Sequence, residues 1–569
     1  MHEFEIIASS PLTDPGLVEA KLVKSDRPRT EIFYRMTKRK GTPSIPSLPP
    51  AARMQELELK LLIDGTTGED IWTRALAAGL ASVRPRARQI TSTYVDTPDH
   101  ALRRQAMSLR LRSDGQRWLQ TVKVRASLHG GMSNVMELET TAPGGRLDIS
   151  AIPDEKLRDQ VKNAVQGASL KPVCETLVKR TEGEVRSATG TRALLAVDVA
   201  EIKAGKQSRT LYELELEHLE GPLHGLFDIA KALLPDGGAR FSTLSKADRG
   251  YLLAATGEIE PEVVPRKSRA VAIRKSQSAA KVAQKVLREC AGQVADNINA
   301  VLQLPSTEGP HQLRIGLRRL RSSLQVFKGT TGSPTATHLA REAAWLGQEV
   351  GRLHDLDVIV HDLVLPAGIA QPGETGFAAL ASVLEENGRF IREELRSTLR
   401  SQKVHVFLFD LMCFIETGGW LMPENAGQPA KPAVAIRKTA GTALNKRWAK
   451  ARKRARHLAR LSIAERHELR KELKKLRYAV EFLGPLYPDR KLKPFLKRLK
   501  KLQDVFGDMN DAAMVKTELL DGAMSGTDTT DIQRAIGWII GASTARAELD
   551  LQHAQDLWKS LRNTPVFWR

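Results

Sequence analysis

Between Met54 and about Ala255 the chain repeatedly sets charged residues at every second position. Examples are Glu56, Glu58 and Lys60 in "MQELELKL", Arg110 and Arg112 in "SLRLRSD", and Lys123 and Arg125 in "TVKVR". Glu137 and Glu139 in "VMELETT" and Glu213, Glu215 and Glu217 in "LYELELEHL" follow the same rule. A strand has a side-chain period of two, so each set projects from one face, with apolar or small residues on the other. One such strand fits a half-exposed sheet with cross-strand ion pairs in water. Five of them fit better a barrel with a charged interior and an apolar exterior covered by helices. "ITSTYVD" and "ALLAVDVAEIK" add strands, while residues 68–79, 154–165 and 223–234 are helical in pattern. An antiparallel sheet or barrel with outer helices is therefore expected.

A charged interior of this kind suits a polyanion held together with metal. Paired carboxylates bind Mg2+ or Mn2+ as hard oxygen ligands, and Arg and Lys take phosphate oxygens directly. No P-loop pattern or cysteine nucleophile offers a competing scheme. Cys174, Cys290 and Cys413 are far apart and odd in number, which argues against a disulfide framework or a Cys-based zinc site and fits a reducing, cytoplasmic setting. No stretch approaches the roughly 18 apolar residues of a membrane span.

With 569 residues the chain needs more than one domain. "GTPSIPSLPPAAR" makes residues 1–53 irregular or disordered, with Met54 an alternative start, and "TGEIEPEVVPRKS" opens a linker over 256–274. Beyond it Leu recurs at helical intervals. "HQLRIGLRRLRSSLQVF" and "ERHELRKELKKLRYAVEFL" repeat one order: His311, Arg314, Arg318 and Arg321 in the first, His467, Arg470, Lys474 and Arg477 in the second. Each helix then presents a cationic stripe. An acidic turn is expected after each, at Arg352–Asp357 and Val505–Asp511, with Asp355 and Asp508 holding the basic residues or capping helices. The net charge is +21, and residues 437–501 alone carry 23 basic against 5 acidic side chains. A basic helix face is usually only solvated. Two copies at the same spacing favour instead a phosphate-binding surface, and the scarcity of aromatic residues near the stripes disfavours nucleic acid.

These motifs resemble two families. "ELELK", "YVDTPDHALRRQAMSLRLR", "ELELE" and "SKADRGY" resemble the CYTH superfamily, the triphosphate tunnel metalloenzymes, over 54–255. The paired stripes resemble the CHAD domain over 275–561. The resemblance implies an α+β chain: an antiparallel eight-stranded β tunnel with outer helices, then an all-α duplicated helical bundle. It further implies a metal-dependent inorganic triphosphatase using Mg2+ or Mn2+, with tripolyphosphate as substrate and long-chain polyphosphate bound by the helical half. Glu56, Glu58 and Lys60 would be catalytic. Lys60, Arg110, Arg112, Lys123, Arg180 and Lys246 would hold phosphate, and Glu56, Glu58, Glu137, Glu139, Asp198, Glu215 and Glu217 the metal. His311, Arg314, Arg318, Arg321, His467, Arg470, Lys474 and Arg477 would bind polyphosphate, with association to polyphosphate granules a corollary. Where family members often carry Arg, this chain has Val135, and Arg125 or a neighbour is the substitute. An adenylate cyclase or thiamine triphosphatase on the same fold, or a non-catalytic polyphosphate-binding protein, are the alternative readings.

Overall fold

The structure, a computed structural model, describes residues 20–21, 35–36, 53–63, 68–113, 115, 117–418, 435–521 and 529–568. The stretch expected to be irregular, 1–53, lies outside them apart from Arg53 and a pairing of Ala20–Lys21 with Arg35–Met36. The chain divides into two compact units, Met1–Glu262 and Val263–Arg569.

The first unit is built on eight long strands: β1 (Arg53–Ile63), β2 (Arg86–Asp96), β3 (Met107–Ser113), β4 (Trp118–His129), β5 (Met132–Thr141), β6 (Lys171–Arg186), β7 (Arg192–Ala204) and β8 (Gln207–Glu220). They pair antiparallel in the order β1-β5-β4-β3-β2-β6-β7-β8, and β8 returns to β1, which closes the barrel. Opposed residues share a face, so register carries the parity around the ring. Glu215 opposes Lys60, Glu213 opposes Asp198, Asp198 opposes Arg180, and Arg180 opposes Arg88. Tyr94 opposes Arg110, Arg110 opposes Thr121, Lys123 opposes Glu137, and Val135 opposes Glu56. The circuit returns to β1 with every charge of the alternating sets on the inner face.

The outer face is apolar and covered. Leu109, Leu111, Val122 and Leu138 of β3, β4 and β5 form a buried cluster with Leu157 and Val161 of the outer helix α2 (Glu155–Val165). Each such side chain stabilises the fold by about 1.5–3 kcal/mol. The helical pattern expected over 68–79 and 223–234 appears as α1 (Gly68–Ala77) and α3 (Gly225–Leu233). The alternation rule overlooks β6, because Thr176 and Val178 alternate with Leu177 and Lys179 and neither face is uniform. Gly183 in β6 is required by packing: a Cβ there would lie 2.9 Å from the ring of Trp72. Helix α4 (Lys246–Thr256) starts at a capping box in which Ser245 and Asp248 satisfy each other's backbone N–H, and its first turn faces the barrel interior.

The second unit is helical and duplicated. Helices α5 (Ala279–Gln303), α6 (Glu308–Val326), α7 (Pro334–Val358) and α8 (Gly376–Arg400) recur as α10 (Ile436–Arg454), α11 (Ile463–Leu483), α12 (Asp489–Lys516) and α13 (Thr530–Arg562), with α9 (Gln402–Glu416) between. A π-helical turn follows α7 at Ile359–Val364 and α12 at Thr517–Asp521. An antiparallel bridge joins Ser278 to Ala435, the residues just before α5 and α10. The acidic segments expected to be turns lie inside α7 and α12. Their Leu and Val positions are buried on helical spacing, which outweighs the turn preference of Asp and Gly.

The stretch expected as a linker is anchored at both ends. Glu260 binds the buried Arg249 of α4. Arg266 donates its backbone N–H to Asn297 Oδ1 (2.9 Å) and accepts from Asn297 Nδ2 (2.9 Å), while its guanidinium binds Glu289 and lies 3.0 Å from Asp296. Asn297 is fully buried in α5, so residues 266–272 form a strap on that helix rather than a free tether. Asn297→Ala should loosen the strap by about 1–3 kcal/mol. Tryptic cleavage after Arg266, Lys267 and Arg269 should then accelerate before global unfolding, and unchanged cleavage would contradict the anchoring.

Candidate functional site

The inner faces of the barrel enclose a cavity of about 750 Å3, and every barrel position singled out from the sequence lines it except Glu213. The charges sort into three groups by their partners. In the first, Arg180 grips Asp198 through two parallel bonds of 2.7 Å and reaches Glu215 at 2.6 Å. Lys246, at the start of α4, lies 2.8 Å from Asp198 and 3.0 Å from Glu215 and also binds Glu213. Lys60 binds Glu215 and sits 3.0 Å from Glu58. Burial alone would raise the Asp198 and Glu215 carboxyls, but Lys246 and Arg180, with Lys60 beside Glu215, hold both below the usual carboxylate range.

Carboxylate oxygens of Asp198, Glu213 and Glu215 lie within 4.8 Å of one another, a spacing that suits a metal ion. Three side-chain cations already occupy that charge, however. Glu213 is fully buried behind the wall, where it also accepts from Ser242 Oγ at 3.0 Å. In this arrangement Asp198 and Glu215, expected among the metal ligands, act as counter-ions to Lys60, Arg180 and Lys246.

The second group is a wall on β3 and β4 formed by Arg110, Arg112 and Lys123. Arg110 lies 3.1 Å from Glu137, Arg112 lies 3.1 Å from Glu139, and Lys123 lies 3.1 Å from Glu56 and also binds Glu137. Burial opposes the charge on Glu137, yet Lys123 and Arg110 keep its carboxyl well below the ordinary range.

Three carboxylates share a cation or lack one: Lys60 is divided between Glu58 and Glu215, and Lys123 between Glu56 and Glu137. Glu217 stands opposite Glu58 in register and has no ion pair among the described residues. Its carboxyl is pushed up by burial and by Glu58. Burial pushes Glu56 up to about 8, against Lys123, and Glu137 and Glu58 add to the rise. Glu56 and Glu217 each feel the like charge of Glu58, a repulsion that a hard divalent cation would relieve, although among the described residues only Asp198, Glu213 and Glu215 bring carboxylate oxygens within 4.8 Å of one another.

Arg88 and Tyr251 line the cavity without belonging to the alternating sets, and Arg125 extends the set of Lys123. Arg88, 2.9 Å from Glu182, lines the cavity on the same strand as Ile90, Ser92 and Tyr94. Arg125 stands opposite Val135, lines the cavity and lies 2.8 Å from Asp248. Tyr251 donates to the buried Asp96 at 2.6 Å, with Arg103 4.7 Å above its ring and His100 against its edge.

In the helical unit the two stripes come together. Lys474 of α11 is close enough to lower the basicity of His311 on α6. Arg314 binds Asp355, as the holding role expected for that carboxylate requires. His467 contacts Asn510 at 2.6 Å, and Arg477 lies 3.4 Å from Glu481. Arg321 and Asp508 are exposed, and the helical repeat aligns Asp355 with Asp511 rather than with Asp508. Arg319, one step off the stripe, is buried and ties the repeats together through Glu481 at 2.7 Å.

No helix among the described residues is long and apolar enough to cross a membrane. Residues 54–251 match the family model of the CYTH domain and residues 285–520 that of the CHAD domain. An inorganic triphosphatase from Haemophilus influenzae is 29% identical over 207 residues, 36% of this chain, and the match spans 56% of that relative's own length. A CHAD domain from the plant Ricinus communis is 23% identical, with 53% of this chain and 98% of that one covered at a TM-score of 0.47. A Hippeastrum protein, a candidate adenylyl cyclase with a dominant triphosphatase activity, is 19% identical, with 36% and 98% covered at a TM-score of 0.26. The chain carries a CYTH domain at residues 54–251 followed by a CHAD domain at residues 285–520.

Proposed function

We propose that the barrel is a metal-dependent inorganic triphosphatase that cleaves tripolyphosphate to pyrophosphate and phosphate, and that the helical unit binds long-chain polyphosphate. The observation that carries this reading is the division of charge in the cavity. One wall offers Arg110, Arg112 and Lys123, another offers Lys60, Arg180 and Lys246, and the carboxylates between them include three without enough cations. A triphosphate chain supplies anionic oxygens to both cationic walls, and a divalent cation completes Glu56, Glu58 and Glu217.

Asp198 and Glu215 keep Arg180, Lys60 and Lys246 charged and oriented before substrate arrives, which lowers the reorganisation needed at the transition state. Arg110 and Arg112, each held by a carboxylate, would donate guanidinium N–H groups to phosphate oxygens. A bound Mg2+ or Mn2+ would neutralise developing charge on the phosphate oxygens. Tyr251, on α4, is covered on one face by Arg103 and packed at its edge by His100, and Tyr94 turns its hydroxyl toward Arg110 at 3.4 Å. Neither ring offers a platform for a nucleobase or a thiazolium, which favours the bare polyphosphate over ATP or thiamine triphosphate.

Glu58→Gln and Glu217→Gln should each lower kcat on tripolyphosphate by on the order of 10²–10³ and weaken Mn2+ binding measured by calorimetry. Glu201→Gln, on the outer face of β7, should leave both unchanged; equal loss in all three variants would contradict the site.

The proton on Glu56 sets a pH dependence. With its carboxyl held up to about 8, Glu56 is protonated at neutral pH, and a metal ion must displace that proton. Metal affinity should therefore rise from acid pH to about pH 8 and flatten above it. Mn2+ titrations at neutral pH in buffers of different ionisation heat should report proton release, and Glu56→Gln should abolish that release.

A further inference from the structure

The duplicated repeats differ at the point where their stripes meet. In the second repeat His467 Nδ1 contacts Asn510 Oδ1 at 2.6 Å, so an uncharged amide fixes its imidazole. The equivalent of Asn510 in the first repeat is His354, and its ring packs on His311 with centroids 4.8 Å apart. Three elements converge there. Helix α6 supplies His311, Arg314, Arg318 and Glu308, α7 supplies His354 and Asp355, and α11 of the other repeat supplies Lys474. Asp355 is committed to Arg314, so the local charge is strongly positive with two imidazoles in its midst.

Such a cluster disfavours imidazolium while it is empty. Burial, and then Arg314, His311, Arg318 and Lys474, push His354 down to about 2. His311 is lowered by burial and by Arg318, Arg314 and Lys474, against Glu308. A phosphate group seated among Arg318, Arg314 and Lys474 reverses the sign of the field that both rings feel. A protonated ring is then a donor to the anion instead of a further repelled cation.

We propose that His311 and His354 form, with Arg318 and Lys474, a phosphate subsite at the junction of the two repeats, and that filling it takes up a proton from solvent. The inference rests on the polyphosphate-binding reading of the helical unit. The second repeat, with Asn510 in place of a second imidazole, binds phosphate without this added protonation.

The test is calorimetric titration of the full chain with sodium polyphosphate of defined length, in EDTA so that the barrel is without divalent metal. Buffers of different ionisation heat report protons taken up. Wild type and His354→Asn, the side chain that the second repeat carries, share every other contribution, and His354→Gln serves if His354→Asn fails to fold. The expected result is a clear loss of proton uptake in the variant. From about pH 8 to about pH 6 the wild-type affinity should also rise several-fold more than the variant's, with about tenfold per pH unit the ceiling for one proton. Equal uptake in wild type and variant would overturn the inference while binding itself stands. If the wild-type chain shows no binding of polyphosphate, the polyphosphate reading of the helical unit falls, and the subsite with it; if wild type binds and Lys474→Ala leaves the affinity unchanged, the subsite alone falls.

Discussion

The structure of the first unit depends on register in a closed antiparallel ring. With a side-chain period of two, a slip of one residue in any strand would move its whole charged set to the outer face and its Leu and Val set into the cavity. Closure makes this all or none: β8 pairs with β1 only if Glu215 meets Lys60, and the parity set there must agree with the parity carried around through the other strands. The apolar cover of α2 over β3, β4 and β5 reinforces the same choice from outside.

That constraint gathers more buried charge than a stable core needs. Ion pairs taken out of water return little net stability, since desolvation offsets much of their attraction. The barrel meets the cost with close pairs such as Arg180 to Asp198 and Arg110 to Glu137. It stops short of satisfying Glu56, Glu58 and Glu217. A carboxyl held up to about 8 beside two others is a local stability loss, which makes sense where an absent cation restores the balance.

Much of this was legible in the sequence where one side of a strand carried a single chemistry. "ELELK", "LRLR" and "YELELE" announce their faces, and the cavity is lined by all of their charges except Glu213. The strand β6 did not announce itself, because both its faces mix polar and apolar residues, and Arg180 was placed by family resemblance rather than by pattern. Glu213 shares the parity of Glu215 and Glu217 yet lies behind the wall, bound to Ser242 and Lys246; depth in a wall is not a property of alternation. Likewise the His-Arg stripes were readable from spacing, whereas His354 and Arg319 matter through contacts between repeats that no local pattern encodes. The segments around Asp355 and Asp508 looked like turns for their Gly and Asp content, but buried Leu353, Leu356 and Phe506 keep them helical.

The central claim is that the cavity is a preorganised site for a bare triphosphate with a divalent cation. Its most direct test is product analysis of the full chain incubated with tripolyphosphate, ATP and thiamine triphosphate, each with Mg2+, with Mn2+ and with EDTA. The account predicts phosphate and pyrophosphate in equal amounts from tripolyphosphate, much slower turnover of the other two, and no products in EDTA. Cyclic AMP from ATP with tripolyphosphate left intact, or hydrolysis that EDTA does not affect, would contradict it.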